Sequence, residues 1–394
     1  MSAQGYRAPA SIDRVQRGGW FVGGVALLVA IFGAITSPDK FYQSYLFSYL
    51  LVLGLTLGSL GLLMLQHLTG GNWGIIIRRP LEAAARNIWL LFLMFVPVVL
   101  GMNSLYGAWL DPERRKAEPL SALQQWYLTS RGFLIRAMIY FAIWFVLMWL
   151  FDSWSRKQDV DHEDRLLRRH FKLMAGPGII LYVVAMTFAS FDWVMSLSPH
   201  WASTIYGFIF VAGQAVSAMS LMIAVVVLLS GSEPFAAVLQ KRHLHDLGKL
   251  LFAFNMLWAY FDFSQLLIIW SGNQPEEISF YRTRLSGGWG VLAVVVLVFH
   301  FAVPFLLLLS QDVKRNAGLV SKIALWMIFM RLVDLFWMTR PEFTAQALPT
   351  WLDIVVPVAL IGLWVGFFAR NLKQLPLLPL GDPKLAEAVA QDEH

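Results

Sequence analysis

The stretch "FNMLWAYFDFSQLLIIW", residues 254 to 270, is apolar enough to lie in lipid, yet Asp262 stands in its middle. An ionisable side chain inside a spanning segment costs about 2.5–3.5 kcal/mol on insertion scales, so it normally faces a protein interior or a cavity and has a partner. Asn255 precedes Asp262 by seven residues, two helical turns, and Gln265 follows it by three, which makes one polar stripe and predicts a carboxylate held inside a bundle. Arg331 and Asp334 in "MIFMRLVDLFWM" are three apart, the spacing of an intrahelical ion pair that lets both enter lipid. His300 lies in "VLVFHFAVP", and Pro304 lacks the N–H that its carbonyl would otherwise accept. Asp192 and Arg136 lie nearer the ends of their apolar runs, where a side chain can snorkel to water. Such groups have two uses. They can satisfy one another as internal glue, or a carboxylate, a histidine and intervening waters can pass protons. The candidates for a proton path are Asp262, His300, Arg331, Asp334, Asn255 and Asp192.

Other chemistry finds little material. The chain has no cysteine, which excludes thiolate-ligated iron–sulfur clusters, Cys-x-x-Cys-His haem attachment, disulfides and thiol catalysis within it. Of eight histidines (67, 162, 170, 200, 243, 245, 300 and 394) only His300 lies deep, so a bis-histidine haem lacks its second ligand. His243 and His245 are two apart in "QKRHLHDLGK" without thiol or clustered acidic companions, a weak metal signature. There is no P-loop and no dinucleotide-binding glycine fingerprint. The chain is therefore expected to carry no catalytic residue, metal or cofactor of its own.

The elements that must position these groups are transmembrane helices. The 394 residues are 58% hydrophobic and 14% charged, with a mean hydropathy of +0.59. Runs of about 20 apolar residues fall near 19–36, 42–67, 83–105, 131–151, 175–195, 202–229, 248–270, 288–310, 319–338 and 351–369. The first follows Arg7, Arg14 and Arg17, but "FGAITSPDK" offers no small-x-small cleavage site, so it reads as an uncleaved helix. With ten spans, 21 of the 31 Lys and Arg fall on the side of the termini and 8 on the other, Arg136 and Arg331 lying within spans. That asymmetry predicts both termini in the cytoplasm and assigns the basic loops to topology rather than to a ligand. The connector "DSWSRKQDVDHEDRLLRRHFK" (152 to 172) mixes both signs and predicts a solvated amphipathic segment.

The expected fold is an all-α polytopic protein of about ten helices. Residues 1–40 would hold the N-terminus and first span, 41–195 a four-helix bundle, 196–338 a second, and 339–394 the last span and C-terminal tail. Gly54, Gly58 and Gly61 form a small-residue stripe suited to internal helix packing. Trp193, Trp201, Trp270, Trp289 and Trp351 fall at span ends on one side and predict an aromatic belt.

Three stretches carry a resemblance: "FDWVMSLSPHWASTIYGFIFVAGQ" (191 to 214), "DLGKLLFAFNMLWAYFDFSQLLIIWSGNQPEE" (246 to 277) and, more loosely, "GGNWGIIIRRPLEA" (70 to 83). They resemble one of the two homologous ten-helix membrane components of alternative complex III, the bacterial quinol:cytochrome c oxidoreductase, which are similar to the polysulfide-reductase (NrfD-like) membrane anchors. The resemblance implies two four-helix bundles with flanking helices in the bacterial inner membrane. It implies partners: a homologous NrfD-like membrane subunit, a periplasmic iron–sulfur subunit and haem c subunits, with menaquinol as the substrate of the complex. It implies a proton half-channel in this component, and an acidic residue before "FSQ" departs from the family pattern, moving weight to His300, Arg331 and Asp334. A quinol-binding anchor, needing a lateral pocket with a proton acceptor, is the alternative. An independent secondary transporter is the third reading, kept open by "AGPGIILY" and by Pro97, Pro304 and Pro357.

Overall fold

The structure, a computed structural model, describes residues 6–160, 165–382 and 384–385, with only the backbone for 165–168. Long apolar runs fold as helices because lipid offers no partner for a free backbone N–H or C=O. The result is 84% helix with no strand among the described residues. The principal helices are α1 (Ala10–Thr36), α2 (Pro38–Thr69), α3 (Trp73–Ala85), α4 (Ile88–Leu100), α5 (Ser130–Val160), α6 (Arg165–Trp193), α7 (Tyr206–Leu229), α8 (Lys241–Gly272), α9 (Trp289–Leu309), α10 (Ala317–Thr339) and α11 (Leu352–Leu372). Eight of these are long and apolar enough to cross a membrane, and α3 with α4, bent by 40° at Arg86–Asn87, is an apolar pair that makes a ninth if it crosses as one broken span. Helix α10 falls short on composition because Lys322, Arg331 and Asp334 lie within its 23 residues, yet it packs between α2 and α7 like its neighbours. The chain is an all-α polytopic membrane protein.

Helix α2 is the axis. Nearly all of it is buried, and it touches α3, α4, α6, α7, α10 and α11. It packs with the α3/α4 pair and α6, and α5 with α6, a set called the first bundle; α7 packs with α8 and α10, and α9 with both, called the second. The two sets share an extensive contact of α2 and α6 with α7. The small stripe on α2 makes that approach possible. A methyl group added at Gly58 would run into the backbone of Gln214 on α7, and one at Gly61 would stand 2.9 Å from the Tyr182 ring on α6. The first and last helices pair with each other and rest on α2. Their contact is two-sided: Gly19 and Gly23 meet Gly362 and Gly366, so a Cβ at Gly19 would lie 2.9 Å from the Gly362 carbonyl oxygen and one at Gly23 would enter the Gly362–Leu363 backbone.

Three expectations are corrected. The span expected from residue 83 is broken, because α3 begins at Trp73 and carries Arg78, Arg79, Glu82 and Arg86 into the protein as buried groups. These arginines are therefore not solvated topology markers. The connector expected to be solvated instead continues α5 to Val160, and its Ser155 and Gln158 are buried against α3; residues 161–164 lie outside the described residues. Trp193, Trp201 and Trp289 are core residues, not belt residues, with only Trp270 and Trp351 exposed. Trp193 stands amid Tyr49, Phe95, Tyr140, Phe141 and Trp144, an aromatic core that uses the same ring area an interfacial tryptophan would give to headgroups.

The glycine pairing sets a test. Replacing Gly23 or Gly362 with leucine should cost about 1–3 kcal/mol through overpacking, read as a lowered thermal midpoint in detergent. Gly18→Leu, at a position where an added side chain meets open space, should leave the midpoint unchanged.

Candidate functional site

The polar groups of the second bundle collect where α7, α8, α9 and α10 face one another. Arg331 and Asp334, one helical turn apart on α10, form a buried ion pair. Space for the guanidinium exists because position 213 on α7 is glycine: any Cβ there would overlap it. The Phe210 ring one turn earlier lies 5.8 Å from the guanidinium carbon. His300 is fully buried on α9, and both its ring nitrogens lack a partner among the described residues. It sits in a π-helical turn, Leu297–Ala302, which ends two residues before Pro304. The bond that Pro304 cannot make is absorbed by widening the helix at the histidine. The edge of the Trp258 ring meets the imidazole at 4.3 Å between centroids.

Asn255 is fully buried on α8. Its amide donates to the Phe301 carbonyl at 3.4 Å while its Oδ1 has no partner among the described residues. Gln265 donates to the Tyr281 hydroxyl at 3.3 Å, and its Oε1 is likewise unpartnered. Together with Trp258 Nε1 and the two imidazole nitrogens, this is a concentration of orphaned polar atoms along one helix interface. Buried polar atoms in native proteins are almost always bonded to protein or water, so the pattern marks a place for internal water.

Asp262 is not the bundle-interior carboxylate expected from the stripe. Asn255 and Gln265 turn inward and bond elsewhere, whereas Asp262 is half-buried and forms no hydrogen bond or ion pair with a described residue. It lines a cavity of about 610 Å³ between α8, α9 and the surface helix Pro275–Leu285. Most of that wall is aromatic or aliphatic, and Tyr260, Phe263, Val294 and Leu297 on it are exposed at the lipid face. Asp262 is its one carboxylate, and the phenols of Tyr260 and Tyr281 are its hydroxyls. Burial, and then the Asp262 carboxylate, push the Tyr281 phenol above its ordinary range, so it stays a neutral hydroxyl. Asp262 also lies within electrostatic reach of Asp334 and Arg331, and His300 of Arg331. Of the six residues singled out in the sequence, Asn255, His300, Arg331 and Asp334 share this interior and Asp262 flanks it.

Asp192 belongs elsewhere. It is completely buried in the first bundle, where Arg136 donates to it at 2.9 and 2.7 Å and Tyr140 at 2.7 Å. The snorkelling expected for Asp192 is thus corrected: its charge is answered inside the protein. Groups that the sequence does not reveal are Tyr281 and the cavity itself, which exist only once Pro275–Leu285 folds back against α8. A further one is the charged cluster of α3, whose signal is the i, i+4 spacing of Arg78, Glu82 and Arg86 directly after the apolar "GIII". Among the described residues no group of three His, Asp or Glu could hold a metal ion.

No protein-family model matches the chain, and no curated protein is significantly similar to it.

The ion pair makes a sharp prediction. Arg331→Leu leaves Asp334 buried and unanswered and should destabilise the protein by about 3–5 kcal/mol, whereas Arg331→Leu with Asp334→Leu should recover most of that loss. Thermal midpoints of the single and double variants in the same detergent decide it.

Proposed function

We propose that this chain is an integral subunit of a respiratory quinol:cytochrome c oxidoreductase of the alternative complex III kind, and that its second bundle conducts protons. The observation that supports the proton role most directly is the set of unpartnered buried polar atoms at Asn255, Trp258, Gln265 and His300 on α8 and α9, with Asp262 on the same stretch of α8 and the buried ion pair on α10. Under this proposal water bound by those atoms carries protons between Asp262, His300 and the Arg331–Asp334 pair, and the π-turn at His300 is of the kind frequent at functional sites. In this reading the chain lies in the bacterial cytoplasmic membrane with both termini inside, as the Lys and Arg asymmetry favours. Electrons pass through iron–sulfur and haem c partner subunits beside a homologous membrane subunit, and menaquinol is oxidised by the assembly.

One observation favours a second reading, a quinol site on this chain. The Asp262 cavity opens toward lipid, is walled by apolar and aromatic groups, and includes one carboxylate and two tyrosines in its lining. In such a site a quinol head donates its hydroxyl to Asp262 while its tail stays in the bilayer.

The test is purification through a C-terminal tag, with a reduced-minus-oxidised spectrum, followed by reconstitution of whatever copurifies. Haem c and iron–sulfur subunits should accompany the chain, and Asp262→Asn should abolish quinol-driven proton movement while leaving subunit composition intact. Unchanged proton movement with normal quinol oxidation would sink the proton role. A rise in the quinol KM without change in proton yield would favour the quinol site. A colourless, solitary protein would remove the complex altogether.

A further inference from the structure

A second polar concavity lies at the opposite, basic end of the first bundle, and no part of the proposed proton route uses it. It encloses about 240 Å³ where the end of α2 (Gln66–Gly70), Arg78 of α3, Gln158 of α5, Phe171 and Lys172 of α6, and the C-terminal segment at Asp382 and Lys384 converge. Three cations from three separate segments face it, against one carboxylate. That carboxylate is already engaged: Asp382 takes a 2.8 Å bond from Arg78, which also holds Glu82 at 3.1 Å and Gln158 at 2.7 Å. Lys172 has no hydrogen bond or ion pair with any described residue, and among the described residues the Lys384 ammonium reaches the Gly70 carbonyl alone, so neither lysine is answered by a described anion.

The deeper wall is also incomplete. His67, stacked on Phe171 at 4.2 Å between ring centroids, leaves Nε2 buried without a partner among the described residues. Gln66 is 3% exposed, and its Oε1, which an amide flip exchanges with the Nε2 donor, is unpartnered too. A lone rim lysine is usually just solvated. Here two lysines, an arginine, an imidazole N–H and an amide N–H can all donate toward one small volume. Leu68, which lines the concavity, and Leu173, next in sequence to Lys172, are exposed apolar residues at the same end of the spans.

We propose that this concavity binds a phosphate group, held by Lys172, Lys384 and His67 over Arg78, and that its source is the headgroup of an anionic phospholipid whose chains lie along Leu68 and Leu173. Basic pockets between helices at the positively biased end of a membrane protein suit such headgroups, and the exposed leucines are where the acyl chains must pass. The bound phosphate also ties the C-terminal segment to the start of α6, since Lys384 comes from the first and Lys172 from the second.

Native mass spectrometry and thermal unfolding of the full-length protein test this, with cardiolipin, phosphatidylglycerol, phosphatidylcholine and inorganic phosphate as probes. Cardiolipin or phosphatidylglycerol should stay bound through delipidation and raise the thermal midpoint, and phosphatidylcholine should not. Lys172→Gln with Lys384→Gln should weaken that retention roughly 30-fold. Lys241→Gln with Lys249→Gln, the same loss of charge on the same end of the protein, should leave it unchanged. Saturation of the effect by inorganic phosphate alone, sensitive to the same two lysines, would keep the phosphate site and reassign its source to a soluble anion. Equal retention of phosphatidylcholine, or equal loss in both double variants, would overturn the proposal.

Discussion

An arginine taken out of water must be answered by a carboxylate, and this requirement shapes the molecule at three depths. At the basic end Arg78 and Arg79 share Glu82, with Asp382 and Asp159 as further partners, while Arg86 reaches Asp152. At mid-depth Arg331 is answered by Asp334. At the far end Arg340 meets Asp353 at 3.1 Å, and Ser44 of α2 donates to the same carboxylate at 2.6 Å. Burial lowers the Arg340 pKa from its usual value while Asp353 opposes that fall. The networks at the two ends draw on residues far apart in sequence, so the charges fix which helices are neighbours as firmly as the apolar surface does. Between lipid-facing helices apolar area gives no such selection, because lipid is as apolar as leucine.

The central helix shows how the two kinds of contact cooperate. Small residues on α2 let α6 and α7 close in, and the close approach brings Gln214 of α7 to within 2.6 Å of the Tyr182 hydroxyl on α6. Trp364 of α11 donates to Thr56 of α2 at 2.8 Å. Polar groups at this axis thus serve as local fasteners between helices. The second bundle departs from this economy at Asn255, Gln265 and His300, where the fasteners are left half made or unmade. Unpartnered buried polar atoms occur elsewhere in the chain too, and here they lie on the helix interface that also carries the Arg331–Asp334 pair.

Much of the fold is legible in the sequence, because length and hydropathy alone locate spans, and the glycine stripe on α2 has one evident use inside lipid. What cannot be read is direction. Whether Arg78 sits in a solvated loop or a buried turn depends on Ser155 and Asp382 arriving from two other elements, and whether Trp193 is belt or core depends on distant neighbours such as Tyr49. The pairing of α1 with α11 is hidden for the same reason: glycines at 19 and 23 acquire meaning only beside those at 362 and 366. At the candidate site the Arg331–Asp334 ion pair follows from spacing. Asp262 is misplaced because helical periodicity puts it near Asn255 and Gln265 but cannot show that Pro275–Leu285 folds back to roof a side cavity.

A proton route through the second bundle requires water inside it. An experimental density map of the full-length protein in a lipid nanodisc, at a resolution that reveals ordered water, tests this most directly. Ordered waters should bond to the His300 nitrogens and to Asn255 Oδ1 and should continue toward Asp262 on one side and Asp334 on the other. A dry interior, with the same side chains paired directly to one another, would contradict the proton route and leave this cluster as structural packing.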